Sequence, residues 1–295
     1  MSLRPFPRLP VLLLLLAAVA VAGVLAPDAR AALSPLPSAA ERDAFMAGHR
    51  RIPRLPLPPA RVTAGQEDVD IQLYDLALFL DVPGERIEAA NAVTFKTATG
   101  AGTASSLVLD LYDNMLVSAI DRDGTPVDMA LVTHAGNVLT IPLSPPLAEG
   151  AGASRVTITY SGQPLEFGFG TLTYTTHADP PVPMIFTLSE PFLARGWWPC
   201  KDRPDDKALV SVRVEAPSEL VVVSNGLQQS IVPGRPGHSI TRWRSTNPMS
   251  TYLVAVSATN YVTWADTYTS LDGSVSMPVP YWSFPEQEAA AREDW

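Results

Sequence analysis

Hydrophobic residues recur at every second position along several stretches of this chain, which is the period of a strand with one buried face. The clearest sets are Tyr74, Leu76, Leu78, Leu80 and Val82; Leu107, Leu109 and Leu111; and Val210, Val212 and Val214. No long pattern of period 3.6 alternates with these stretches. The chain is therefore expected to be all-β and not parallel α/β.

Dipeptides that tolerate positive φ separate the alternating stretches and indicate tight turns between antiparallel neighbours. They are Asp123-Gly124, Gly136-Asn137, Ser161-Gly162, Asn225-Gly226 and Asp272-Gly273. Further strands are expected at residues 115–120, 127–133, 138–143, 155–160, 220–224, 240–244, 251–258 and 279–282. The pattern predicts an antiparallel β-sandwich over residues 68–284.

The first 31 residues have the features of a secretory signal peptide. Arg4 and Arg8 precede an apolar run, and Ala29-Arg30-Ala31 places small residues where a signal peptidase reads them. We expect cleavage after Ala31, and hence a protein that is secreted, periplasmic or associated with the cell envelope. The alternative is an uncleaved anchor, but the apolar run falls short of the ~18 residues expected of a stable membrane span.

Residues 32–67 are interpreted as a proline-rich leader. Ser38 and Glu41 have the spacing of a capping box and predict a short helix over residues 39–49. The prolines between residues 53 and 59 remove backbone donors and fix φ, so that stretch is neither helix nor central strand.

Residues 285–295 have the composition of a helix start. Pro285 suits a first-turn position, and two glutamates and three alanines follow it. No C-cap follows, so we expect this helix to lead into a domain that is absent from the chain.

The charge balance argues against nucleic acid as a partner. The formal net charge is −9 and the sequence pI is about 4.9. Removing residues 1–31 leaves 18 of the 21 basic and 29 of the 30 acidic side chains. No basic stripe is available to neutralise phosphates.

Histidine and cysteine provide no metal or catalytic site in the sequence. His49, His134, His177 and His238 are scattered, and none has a second His or a Cys at metal-ligand spacing. Cys200 is the single cysteine, so it forms no internal disulfide. We expect it to be a small buried hydrophobe, with a nucleophilic thiol as the alternative.

Glu190 is the candidate functional residue. It follows an apolar stretch and precedes Pro191, so it lies at a strand end where the chain turns. From these residues alone, an exposed strand-end acid and a binding carboxylate both remain open.

Two motifs in the chain resemble the aminopeptidase N family, the gluzincin zinc metallopeptidases. The first comprises Thr187, Leu188, Ser189, Glu190, Arg195, Trp197, Trp198, Pro199, Cys200, Asp202, Pro204, Lys207 and Ala208, against Thr-Gln-x-Glu, Phe-Pro-Cys, Asp-x-Pro and Lys-Ala in the family. The second, residues 247–253, resembles the family's Pro-Met-Ser-Thr-Tyr-Leu strand. Tyr74-Asp75-Leu76 also resembles its opening strand, so the resemblance covers residues 68–295.

The resemblance implies the saddle-shaped N-terminal β-domain of an exported zinc aminopeptidase. In that family the glutamate of this strand binds the free α-amine of the peptide substrate, which assigns that role to Glu190. Trp197, Trp198 and the turn from Asp202 to Asp205 are then the scaffold of its strand. The partners implied are a peptide N-terminus and the protein's own catalytic domain.

Two departures from the family pattern limit what the resemblance implies. Leu188 stands where many members have Gln, so a substrate contact by that amide is missing. The Gly-x-Met-Glu-Asn strand and the His-Glu-x-x-His zinc motif would lie beyond Trp295, and zinc is expected there. The chain by itself should bind no zinc and be inactive, because no metal activates water.

The alternative hypothesis is a binding protein and not part of an enzyme: a self-sufficient secreted β-sandwich that binds a peptide, a sugar or a partner protein without catalysis. A β-domain separated from its catalytic domain should leave an exposed apolar patch. A complete module should not.

Overall fold

A computed structural model describes residues 63–165 and 171–294 of the chain. The predicted signal peptide, and the predicted leader as far as residue 62, lie outside the described residues. Thr63 and Gln66, near the end of the segment assigned to the leader, are buried against the β-domain.

Seventeen strands account for most of the described residues. They are β1 (Val69–Asp81), β2 (Arg86–Thr97), β3 (Thr103–Asp110), β4 (Leu116–Arg122), β5 (Thr125–Pro126), β6 (Thr133–Ala135), β7 (Val138–Ala148), β8 (Ser154–Gly162), β9 (Leu172–His177), β10 (Val182–Thr187), β11 (Leu209–Pro217), β12 (Val221–Ser224), β13 (Leu227–Pro233), β14 (His238–Arg244), β15 (Val256–Thr259), β16 (Val262–Thr269) and β17 (Ser276–Ser283). The all-β prediction is confirmed.

Helical segments are short. Within residues 63–165 and 171–294, five 3-10 helices span Gln66–Asp68, Met129–Leu131, Ala194–Gly196, Thr251–Leu253 and Pro285–Gln287, and one α-helix, α1, spans Glu288–Asp294. The helix start predicted after Phe284 is therefore confirmed, with Pro285 in its first turn. No helix in the described ranges is long and apolar enough to cross a membrane.

The strands of the two described ranges form four sheets. The largest has the order β13-β14-β11-β1-β2-β8-β4-β5, and a four-stranded sheet has the order β12-β15-β10-β9. A three-stranded sheet, β3-β7-β6, and the β16–β17 hairpin complete the set. One core cluster includes residues of the first three sheets, for example Leu76, Ile185 and Leu139.

The largest sheet contains one parallel pair, between β1 and β11, whereas the other paired strands are antiparallel. Its register places Leu76 opposite Val212, which joins two of the alternating stretches seen in the sequence. A parallel pair needs a long crossover connection, and the intervening strands supply it here. The antiparallel arrangement predicted from the sequence describes the other pairs of this sheet, and β1 with β11 is the exception.

The alternation predicts the buried faces correctly. Tyr74, Leu76, Leu78 and Leu80 are all buried, and so are the other two sets; Val82 is only partly buried. Each buried side chain contributes about 1.5–3 kcal/mol through removal of apolar surface from water.

Two predicted strands begin as 3-10 helices instead. Residues 127–133 contain the 3-10 helix Met129–Leu131, because the carboxylate of Asp128 accepts a hydrogen bond from the amide of Ala130 at 3.0 Å and caps a turn. Residues 251–258 begin with the 3-10 helix Thr251–Leu253, and strand pairing starts only at Val256.

Three of the five turn dipeptides lie in hairpin turns, and two do not. Ser161-Gly162 ends β8 and stays paired with β2. Asn225-Gly226 carries the chain from β12 to β13, which belong to different sheets. Gly226 has φ +86°, and a Cβ there would lie 2.1 Å from the carbonyl oxygen of Arg244, so only glycine fits.

Candidate functional site

Glu190 lies three residues after the end of β10, in the turn that leads to the 3-10 helix Ala194–Gly196. The strand-end position predicted from the sequence is therefore confirmed. The residue as a whole is partly exposed, but its Oε2 atom is buried and has no hydrogen-bond partner among the described residues. The peptide bond from Glu190 to Pro191 is cis.

The residue before Glu190 is fixed by the segment that follows the turn. Ser189 is buried, and its hydroxyl accepts a hydrogen bond from the indole Nε1 of Trp197 at 3.0 Å. Its carbonyl accepts a hydrogen bond from the amide of Leu193 at 2.9 Å. The backbone on the N-terminal side of Glu190 therefore has little freedom to move.

The strand that carries Glu190 is also held on both sides. β10 pairs with β9 and with β15. Beyond the ladder, the Oγ1 atom of Thr187 accepts from the amide of Val256 at 2.9 Å, and the amide of Leu188 donates to the carbonyl of Thr171 at 2.9 Å. Thr187 thus extends the strand's attachment toward the site.

The two tryptophans are core residues that anchor the turn. Both are fully buried, and the carbonyl of Trp197 accepts from the hydroxyl of Tyr160 at 3.1 Å. Trp198 makes an edge contact with Tyr74, with ring centroids 4.8 Å apart. The hydroxyl of Tyr74 in turn accepts from the amide of Lys201 at 3.0 Å.

A buried ionic cluster lies behind the turn and consists of Arg195, Asp110 and Asp202. The Nε atom of Arg195 is 2.8 Å from Oδ2 of Asp202, and its Nη1 atom is 3.3 Å from Oδ1 of Asp110. Asp110 also accepts from Thr63 at 2.6 Å and from Gln66 at 2.8 Å. Because Arg195 belongs to the 3-10 helix after Glu190, the cluster ties that helix to β3.

The pKa of Asp202 shows how burial and pairing compete in this cluster. Burial raises the pKa of Asp202, and the Arg195 charge only partly opposes that effect, so the net direction is upward. Burial alone would lower the pKa of Arg195, but the two carboxylates raise it overall. Arg195 therefore opposes the upward shift of the Asp202 pKa, and the two carboxylates stabilise the charged guanidinium.

Sequence reasoning missed this cluster as a unit. Asp110 and Arg195 are 85 residues apart, and neither position carries a local signal of pairing. The only visible hint is an acid between Leu109 and Leu111 in an apolar stretch, and Asp110 is completely buried. A buried acid of this kind requires a partner.

Cys200 and the histidines show no sign of chemistry. Cys200 is free and fully buried, and burial raises the pKa of its thiol well above the usual range, so the buried-hydrophobe interpretation holds. His134, His177 and His238 lie in separate places, and His49 is outside the described residues. Within residues 63–165 and 171–294, no group of three or more His, Cys, Asp and Glu side chains could hold a metal ion.

Trp197→Phe should lower the free energy of unfolding by about 1–3 kcal/mol or more, because the buried hydroxyl of Ser189 loses its indole donor and the smaller ring leaves part of a fully buried space empty. Urea denaturation of the full chain measures this loss. Trp264→Phe, in the β16–β17 hairpin, is the control and should cost less. Equal losses in the two variants would show that the Trp197 hydrogen bond does not stabilise the turn.

Comparison with known protein families identifies the family of this chain. The sequence model of the peptidase M1 N-terminal domain family matches residues 71–253, which is more than half of the chain. The chain therefore belongs to the peptidase M1 N-terminal domain family. The resemblance seen in the sequence is confirmed, and Glu190 lies within the matched segment.

Two curated relatives of this M1 N-terminal domain are named as aminopeptidases. A putative aminopeptidase-2 of Caenorhabditis elegans is 28% identical over 176 residues, covering 58% of this chain and 8% of that protein. An aminopeptidase N of Acetobacter pasteurianus is 32% identical over 131 residues, covering 44% of this chain and 37% of that protein. The chain thus spans well under half the length of either relative.

Solved structures show the same fold. The M1 zinc metallopeptidase of Deinococcus radiodurans has a TM-score of 0.62 and 25% identity, covering 76% of this chain and 51% of that chain. A variant of it bound to a Tyr-Ser-Ala substrate has a TM-score of 0.63 and covers 52% of that chain. The aminopeptidase A of Legionella pneumophila, at 18% identity and a TM-score of 0.61, covers 75% of this chain and 25% of that chain and shows the fold alone.

Proposed function

We propose that this M1 N-terminal domain belongs to an exported zinc aminopeptidase, and that Glu190 binds the free α-ammonium group of its peptide substrates. The curated relatives named as aminopeptidases support the activity, and the Deinococcus variant bound to Tyr-Ser-Ala supports a peptide as the substrate class. The role is one of substrate binding, and no residue of this chain is assigned a bond-breaking step.

The observation that carries the proposal is the unsatisfied Oε2 atom of Glu190. A buried carboxylate oxygen without a hydrogen-bond partner costs about 1–3 kcal/mol or more. The surrounding turn is held by Ser189 and Trp197, so the backbone that carries the carboxylate is fixed. An incoming cation would supply the missing partner.

A substrate ammonium fits this requirement. It carries three N–H donors and a positive charge, so it can satisfy Oε2 and also reach the second carboxylate oxygen. A fixed negative charge selects chains with a free N-terminus, because a blocked amine would leave the charge unpaired. Fixing the amine also fixes the position of the first peptide bond, so that only the N-terminal residue of the substrate is presented for removal.

The zinc of the related metallopeptidases has no matching ligand set in the described part of this chain. No group of three or more His, Cys, Asp and Glu side chains there could hold a metal ion, and Asp110 and Asp202 pair with Arg195. We therefore assign zinc to a catalytic domain adjoining this one and derive no hydrolytic step from the residues present.

The β16–β17 hairpin is a candidate surface for contact with that catalytic domain. Tyr268, Leu271, Val275 and Met277 are exposed on it, and none of the residues of the hairpin belongs to the core cluster defined above. The hairpin leads through Phe284 and the 3-10 helix Pro285–Gln287 into α1. Exposed apolar side chains at this position favour a domain with a partner over a self-sufficient binding module.

A crystal structure of the enzyme with a bound amino acid or dipeptide tests the site assignment. We expect the α-nitrogen to lie about 2.7–3.2 Å from a carboxylate oxygen of Glu190. A ligand whose amine is held by other groups, with Glu190 turned away, would overturn the assignment.

Export is tested separately, by N-terminal sequencing of the protein recovered outside the cytoplasm. The small residues at 29 and 31 predict that the mature chain begins at Ala32. An exported protein that begins at Met1 or Ser2 would contradict cleavage and favour the uncleaved anchor.

A further inference from the structure

A cavity of about 360 Å³ lies on the outward face of the eight-stranded sheet, opposite the face that packs on the core. Its wall includes Phe79 and Ile240, and its charged residues are Arg213, Arg235, Arg242, Glu88 and Glu215. Glu190 is not among the lining residues. The cavity therefore lies outside the site proposed for the substrate amine.

The register of the sheet explains why the cavity exists. Arg242, Arg213, Ala77, Ala90 and Thr159 are direct neighbours across the strands β14, β11, β1, β2 and β8. The two alanines are too small to fill the surface between the longer side chains around them. They form an apolar floor with two arginines at one end.

The two arginines at that end face each other, with Arg242 exposed to solvent and Arg213 partly buried. Arg213 and Arg242 are directly opposite on neighbouring antiparallel strands, a pairing of like charges that destabilises a sheet. Neither side chain makes a hydrogen bond or an ion pair with any residue in the described ranges. The Nε atom of Arg213 is also buried and lacks an acceptor there.

The acidic side chains in the cavity are already occupied. The Oε2 atom of Glu88 lies 2.9 Å from Nη2 of Arg235, and the Oε2 atom of Glu215 lies 3.7 Å from Nε of the same arginine. Glu215 also accepts a hydrogen bond from the backbone amide of Arg235. Arg235 further stacks on Phe79 at 3.7 Å. Glu215 lies on the outward face of β11, as alternation with the buried Val214 requires, and its side chain is 16% exposed.

The positive charge of Arg213 and Arg242 is opposite in sign to the net charge of the domain. Residues 63–295 carry 27 of the chain's 30 acidic side chains and 13 of its 21 basic ones. In a domain with this excess of carboxylates, an arginine pair without one is unexpected unless something else supplies the negative charge.

We propose that this cavity binds a small organic oxyanion, with its carboxylate or phosphate group between Arg213 and Arg242 and its apolar part over Ala77 and Ala90. A planar guanidinium fork matches the oxygens of either group, and two forks can hold one anion from both sides. Phe79 provides an apolar wall for the body of the ligand. Such a site is separate from the amine site and does not depend on it.

Calorimetric titration of the full chain with benzoate, phenyl phosphate and neutral benzamide tests the proposal. We expect saturable binding of at least one anion, weakening as salt is added, and binding of benzamide at least about tenfold weaker. The stronger anion identifies carboxylate or phosphate as the preferred group.

Arg213→Gln and Arg242→Gln should each weaken anion binding by about tenfold or more, since a charge-assisted hydrogen bond is lost. Arg244→Gln, an exposed arginine on the same strand and outside the cavity, is the matched control and should bind as wild type. Without ligand, the Arg213→Gln variant should melt at the same temperature as wild type or higher, because a like-charge contact is removed.

Three results would overturn the proposal. They are the absence of saturable binding of either anion, unchanged affinity in both arginine variants, and a lower melting temperature of Arg213→Gln without ligand. The last result would mean that Arg213 has a structural partner and is not waiting for an anion.

Discussion

Replacing Arg195 by Met is expected to lower the free energy of unfolding by about 3–5 kcal/mol, which is the cost of leaving a buried charge without its partner. Methionine keeps much of the side-chain volume, so the loss of packing is small. Asp110 and Asp202 are both buried and would face each other without a cation. Urea denaturation of the full chain at pH 7 measures the change.

The pH dependence of that loss distinguishes charge from packing. A carboxyl whose pKa is raised on folding lowers the free energy of unfolding once it must ionise. This loss grows as the pH rises above the pKa of the carboxyl in the unfolded chain, which is about 3.9. Burial already raises the pKa of Asp202, and removing Arg195 takes away the group that opposes the shift. The deficit of the variant should therefore shrink between pH 7 and pH 4.

The control is Arg292→Met, which breaks the exposed pair with Glu288 on α1. That pair is a 2.8 Å contact at i and i+4, and such pairs contribute about 0.3–0.5 kcal/mol. If Arg195→Met costs no more than Arg292→Met, the buried cluster does not hold the turn that carries Glu190.

In the enzyme in which this chain adjoins an M1 catalytic domain, Glu190→Gln is expected to lower kcat/KM for free-amine substrates. The expected loss corresponds to about 2–5 kcal/mol of transition-state stabilisation. Glutamine keeps the volume and removes the charge. The ammonium is paired in both the ground and transition states under our proposal, so the loss should appear mainly as a rise in KM. Steady-state kinetics with an aminoacyl anilide give both constants.

Glu219→Gln is the matched control for this prediction. Glu219 is exposed at the turn between β11 and β12, and its replacement should change kcat/KM by no more than about 0.5 kcal/mol. Glu215 is unsuitable as a control, because it pairs with Arg235. Equal effects at positions 190 and 219 would remove the special role of Glu190.

Local sequence pattern predicts much of the fold, because burial of one strand face imposes period two on the residues. The sets around Leu76, Leu109 and Val212 are buried as their alternation requires. The same pattern does not show which strand pairs with which. The parallel pairing of β1 with β11 joins Leu76 to Val212, and nothing local to either residue encodes it.

The candidate site was less accessible to sequence reasoning. The position of Glu190 at a strand end follows from the apolar run and Pro191, but its role comes only from the family motif. The contacts that fix it are long-range in part, such as that between Arg195 and Asp110. The unpartnered Oε2 atom is a property of the folded chain and has no counterpart in the sequence.

The most direct test of the amine site is the coupling between the carboxylate of Glu190 and the α-amine of the substrate. A double-mutant cycle combines wild type and Glu190→Gln with a free-amine substrate and its des-amino analogue, and kcat/KM is measured for all four combinations. Our account predicts a coupling of about 2–5 kcal/mol, with the variant almost indifferent to the amine. A coupling near zero, with both substrates losing equally, would contradict it and leave Glu190 as an acid at a strand end.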